Sequence, residues 1–178
     1  LRDLLRDKAK AVVGSQGTVD DKLEYASGSP ASFAAAAGFA VSSLAHAKGS
    51  VSLSGAQVSL KGVALGGAGF AGLLAAVQNL PAGVSIGAND VIPAAASPYV
   101  FSVARNNTGI ELRGFAPSEA VLNGLVAAAK KAAGPDGRVT NNLQYASGAA
   151  RNFEARALYG AGLVGRLKQG VFELDGDT

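Results

Sequence analysis

VSLKGVALGGAGFAG, residues 58–72, is the stretch whose reading decides the fold. A strand-like run from Gln57 to Leu65 leads into Gly67-Ala-Gly69-Phe-Ala-Gly72, and a helix-like run from Leu73 to Leu80 follows. Asp90 comes after a second strand-like run. G-x-G-x-x-G between a strand and a helix is the outline of a dinucleotide-binding fingerprint. The alternative is a turn whose glycines let a helix come close to a sheet.

Internal repeats decide between the two. A shift of 52 lays Val58-Ser-Leu-Lys-Gly-Val-Ala64 on Ile110-Glu-Leu-Arg-Gly-Phe-Ala116, and Gly72-Leu-Leu-Ala-Ala76 on Gly124-Leu-Val-Ala-Ala128. The segment aligned with Gly66–Gly69 is Ser118–Val121, which has no G-x-G. It opens a helix instead with Pro117 and Glu119, residues suited to a first turn and its positive end. Both segments are therefore read as turning an edge strand into a helix. Ser59 and Lys61 alternate with apolar residues before the glycines, unlike the near-continuous apolar strand of a nucleotide-binding parallel sheet. No second strand–helix–strand half is expected to complete a crevice, so no cofactor is expected.

A shift of 120 gives a longer match. Between residues 5 and 37, 14 of 33 positions are identical to their partners, including Tyr25-Ala-Ser-Gly28 on Tyr145-Ala-Ser-Gly148. The chain divides into related units at 1–65, 66–116 and 117–178, which together make either tandem units or one compact domain. Unit one reads as helix (Leu1 to Val12), strand (Thr18 to Tyr25), helix (about Pro30 to Lys48) and a hairpin turning at Gly55. The middle unit keeps a helix (69–80), a strand (83–88) and a hairpin turning at Asn106–Gly109. Ile92–Pro98 replaces its second helix, because the prolines prevent one. The last unit reads as helix 117–133, strand 138–145, helix 150–168 and strand 170–174, without its last strand. The fold class is α+β, with amphipathic helices on a mixed, largely antiparallel sheet.

Composition narrows the function. Of 178 residues 48% are hydrophobic and only 16% charged, enough for a packed core and too apolar for disorder. Cysteine is absent, which removes disulfides, thiolate metal sites and cysteine nucleophiles. Methionine is absent too, so Leu1 is read as an internal or processed start, with no signal peptide in view. Val63 to Val77 is shorter than the roughly 20 residues a spanning helix needs. The net charge of +3 permits an anionic partner without demanding one.

The order helix, strand, helix, strand, strand, with "SPYVFSVARNNTGIELRGFAPSEA" and "VTNNLQYASGA", resembles the BON family (bacterial OsmY and nodulation), and more closely the BON-like repeats of OmpA-type outer-membrane proteins. The resemblance covers essentially the whole chain as a pattern. It implies tandem BON-like units and a non-enzymatic module of the periplasm or outer membrane that binds anionic phospholipid. It also implies a peptidoglycan-binding domain in relatives, which is not visible in these residues.

Candidate ligand-binding residues are basic or helix-preceding. Arg151, Arg156, Arg166 and Lys168 are placed on the third unit's long helix, though not as one stripe, and Lys130 and Lys131 lie on the helix before it. Ser27-Gly28 and Ser147-Gly148 precede helices, where amides hold anions or serine caps the helix. His46, the only histidine, is expected near a helix C-terminus, with no catalytic or metal role. Glu173, Asp175 and Asp177 lack the other ligands of a calcium loop. No basic recognition helix or aromatic platform suggests nucleic acid. The alternative to lipid binding is a structural spacer or self-association domain between a membrane anchor and a peptidoglycan-binding OmpA-like domain.

Overall fold

Alternating apolar and polar residues make the hairpins, and each hairpin feeds a helix. A computed structural model describes residues 1–176. The protein is α+β, with its residues in two compact units, Leu1–Ile92 and Pro93–Thr178. That single division differs from the period of the repeats. The sequence boundaries at 65/66 and 116/117 follow self-similarity, whereas the boundary at 92/93 follows where contacts close.

Unit 1 contains α1 (Arg2–Val13), α2 (Phe33–Ser43), β1 (Ala47–Ser54), β2 (Gln57–Ala64), α3 (Gly66–Gln78) and β3 (Ser85–Ile92). Its sheet order is β1-β2-β3, with β1 antiparallel and β3 parallel to β2. Val58, Leu60 and Ala64 of β2 are buried on one face, while Lys61 points to the wet one. Unit 2 contains β4 (Val100–Asn106), β5 (Gly109–Ala116), α4 (Glu119–Ala133), β6 (Arg138–Tyr145), α5 (Phe153–Val164) and β7 (Gly170–Asp175). Its order is β6-β5-β4-β7; β6 is parallel to β5, and the other pairings are antiparallel.

The 52-residue repeat is thus a hairpin, a crossover helix and a parallel strand: β1-β2-α3-β3 repeated as β4-β5-α4-β6. Two expectations are corrected here. β2 is a central strand and not an edge. Strand–helix–strand units do exist twice, as β2-α3-β3 and β5-α4-β6, one in each sheet. Parallel strands become neighbours only through the crossover, so the alternation along each strand does not show which strand it joins.

A third correction concerns Thr18–Tyr25, which is not a strand. Its partner by the 120-residue shift, Arg138–Tyr145, is β6 over its full length. A strand needs a neighbour for its backbone groups. In unit 2 that neighbour is β5. In unit 1 the corresponding strand, β2, already carries β1 and β3 on its two edges.

The helix ends follow local chemistry. The Ser118 hydroxyl accepts from Val121 N at 3.3 Å, and Glu119 lies in the first turn of α4. Gly14 and Gly134, 120 residues apart, end α1 and α4 at φ 71° and 81°, a backbone region that side chains resist. α2 and α5 are shorter than the expected 30–48 and 150–168, because Pro30 and Ala150 lie in turns before them and the chain tightens into turns at 44–46 and 166–167 after them.

The larger core lies in unit 2. Tyr99, Phe101 and Phe153 stack edge to face at 5.2–5.6 Å, over Val103, Ile110, Leu112, Leu125 and Ala157. The Tyr99 hydroxyl is buried without a partner among the described residues, and that burial raises its pKa.

Candidate functional site

The fingerprint glycines have packing tasks. A Cβ on Gly72 would stand 2.7 Å from the His46 ring, and one on Gly69 would stand 2.7 Å from the His46 carbonyl oxygen. That same oxygen accepts from Leu65 N at 2.8 Å. Histidine 46 therefore pins the turn between β2 and α3, three residues beyond the end of α2. Gly66 turns the chain there at φ 75°. Gly124, the repeat partner of Gly72, has nothing within 4 Å of a built Cβ. Asp90 lies within β3 and pairs in register with Lys61.

Several basic residues of unit 2 gather where α4 and α5 end. Arg105, on the inner face of β4, donates from Nη1 to the Ala132 carbonyl at 2.8 Å and to the Gly165 carbonyl at 3.3 Å. These carbonyls belong to the C-terminal ends of α4 and α5. Arg105 thus ties both helix ends together, where unsatisfied carbonyls and the negative end of the dipole favour a cation. Exposed Lys130 and Lys131 sit in the last turn of α4, and exposed Arg166 and Lys168 follow α5. None of these four has an ion-pair partner among the described residues. The arrangement is a cationic end built on two converging helix termini.

Exposed apolar groups adjoin it. Tyr159 and Leu163 lie on successive turns of α5, and Leu167 lies in the turn that follows. Tyr159 is 67% exposed and Leu167 47%. Such side chains beside cations suit an interface with an apolar interior and a charged rim.

The remaining candidates lie apart. Arg151 precedes α5 at its opposite end, so the expected helical spacing of Arg151 and Arg166 does not apply. Arg156, half-buried, is the only one of the four within α5. Ser147 donates its amide to the Ala94 carbonyl at 2.9 Å and accepts from Ala96 N at 3.0 Å, so its backbone is engaged in a bridge. Gly148 passes beside Ala96 and Tyr99 at φ 107°. Ser27 and Gly28 are exposed in the loop before α2, in the other unit. The residues at the helix N-caps are Ser32 and Asn152, neither making a side-chain cap bond.

No group of His, Asp and Glu among the described residues could hold a metal. Glu173 and Asp175 lie in β7, and Asp177 lies outside the described residues. No helix among the described residues is long and apolar enough to cross a membrane. In unit 1, a groove of about 520 Å³ runs between α1, α2 and the end of α3, lined by Leu4, Gly38, Phe39 and Pro81 with Lys8. The sequence reading missed Arg105 and the Tyr159–Leu163–Leu167 line. A lone arginine at the end of a hairpin arm was the available signal for the first, and a spacing of four for the second.

Comparison with protein families, with characterised proteins and with solved structures finds no significant match.

Proposed function

We propose that this chain is a non-catalytic, BON-like module of the bacterial cell envelope, of the periplasm or outer membrane, that meets anionic phospholipid surfaces with the cationic end of unit 2. The observation that carries this reading is that the ends of α4 and α5, both held by Arg105, carry Lys130, Lys131, Arg166 and Lys168, with exposed Tyr159, Leu163 and Leu167 along α5 and the turn after it. Cations near an anionic surface contribute about 1 kcal/mol each, and apolar side chains add contact with the acyl boundary. The BON-like part of the reading rests on the sequence pattern. Arg151, Arg156, Ser27, Gly28, Ser147 and Gly148 lie away from this end and are secondary to it.

Sedimentation with liposomes containing anionic lipid tests the reading at low and high salt. Binding is expected at low salt and is lost as salt rises. Reversing Lys130, Lys131, Arg166 and Lys168 to Glu together weakens it by more than about tenfold. Equal binding by this variant and the parent, or no binding at low salt, overturns the proposal.

A second reading, a spacer or self-association domain between a membrane anchor and a peptidoglycan-binding OmpA-like domain, is favoured by one observation. Leu1, Leu4, Leu23 and Tyr25 are exposed together in the first 25 residues.

A further inference from the structure

Unit 1 contains both halves of a strand pairing that it does not make. Thr18–Tyr25 has the sequence pattern of β6 and remains unpaired. Val19, Leu23 and Tyr25 share one face of such a strand with Asp21 between them, and Leu23 is 47% and Tyr25 89% exposed. At the same time β1 ends its sheet with an open edge. In unit 2 the edge of β4, the equivalent of β1, does take a further strand, β7, antiparallel.

We infer that Thr18–Tyr25 adds as a strand to the β1 edge of a second copy of this chain. The two segments match in length, eight residues each. Val51 and Leu53 of β1 are half-buried on the helix side; in the full-length antiparallel overlap Val19 lies opposite Leu53, Asp21 opposite Val51, and Leu23 opposite Gly49, which has no side chain to compete for the space. On the other face, when the eight-residue segments pair antiparallel over their full length, Glu24 lies opposite Lys48, which has no ion pair among the described residues. Strand addition satisfies a row of edge amides and carbonyls, and alternate side chains set the register.

A second copy is the occupant because one chain supplies both the strand and the edge. The exchange is then reciprocal and closes as a two-fold dimer. Residues 1–25 carry five basic and five acidic side chains, so no net charge opposes the approach. In a single copy the segment rests on α1 through Arg2 Nε to Asp21 Oδ2 at 2.8 Å. This pairing stands or falls independently of lipid binding.

Mass is measured by sedimentation equilibrium on the 178-residue chain, with amide exchange at the same concentrations. A shift from monomer to dimer is expected between about 1 and about 100 micromolar, with mass action setting the midpoint. Protection rises in residues 18–25 and 47–54 together. Leu23→Asp, at an exposed position, keeps the fold and raises the dissociation constant by more than about tenfold. Lys48→Glu weakens the dimer, and adding Glu24→Lys restores it. A monomer at every concentration, a dimer without concentration-dependent protection of residues 18–25, or a dimer untouched by Leu23→Asp would refute the pairing.

Discussion

The two units apply one repeat to different amounts of core. In both, a hairpin leads into a helix and then a parallel strand. In unit 2 α5 covers the sheet and a further strand, β7, extends it. The sheet gains a fourth strand, an aromatic cluster and the Arg105 clamp across two helix ends. In unit 1 the equivalent of α5 is α2, which packs on α1 as well as on β1. Its core is built from smaller residues: Ala36, Ala37, Ala47 and Ala64 beside Val58, Leu60 and Leu73. A repeated sequence therefore does not bring an equal core, because burial depends on which elements find a common sheet.

The largest expected effect tests the aromatic cluster. Phe101 is 1% exposed and stands edge-on to Phe153 at 5.6 Å. Phe101→Ala is expected to destabilise unit 2 by about 3–5 kcal/mol, through lost burial and the cavity left behind. Amide exchange in β4 and β5 reads it. A loss below about 1 kcal/mol would mean that the cluster is not what separates the units.

The next test uses repeat-equivalent glycines. Gly72→Ala drives a methyl into the His46 ring and is expected to cost about 1–2 kcal/mol in thermal or urea unfolding. His46→Ala in the same chain removes most of that cost. Gly124→Ala enters open space in α4 and is expected to stabilise by about 0.5–1 kcal/mol, through helix propensity. Equal effects at the two sites would show that His46 does not set the difference.

The smallest effect is acid loosening of the β5–β6 pair. Glu111 Oε1 accepts from Arg113 Nε at 2.7 Å and from Asn142 Nδ2 at 2.8 Å. Arg113, and to a smaller extent Asn142, hold this carboxyl below its usual pKa. A depressed folded pKa gives stabilisation that is present above the unfolded value of about 4.3 and is lost as pH falls through the folded one. Exchange at Asn141–Leu143 is expected to quicken below about pH 4 in the parent and not in Glu111→Gln. A matching response in the variant would exclude Glu111 as the cause.

Much of the molecule could be read from neighbouring residues. Both hairpins, the turn at Gly55, Pro117-Ser118-Glu119 opening α4, and β6 over Arg138–Tyr145 rest on alternation, capping and glycine turns. The absence of a helix at Ile92–Pro98 follows from proline. Of the site, the basic residues were legible as a list. Their gathering was not, because it depends on two helices ending beside one arginine on a strand more than 25 residues away.

Local pattern and turn chemistry were enough for helices and hairpins, since their bonds close over a few residues. Tertiary structure alone decided the fate of Thr18–Tyr25, the use of Gly69 and Gly72, and which cations share an end. Each of these waits on a partner distant in the chain: a free strand edge, the His46 ring, or the Ala132 and Gly165 carbonyls. Backbone and side-chain groups are satisfied by what stands next to them in space, and two segments of like sequence can have unlike neighbours.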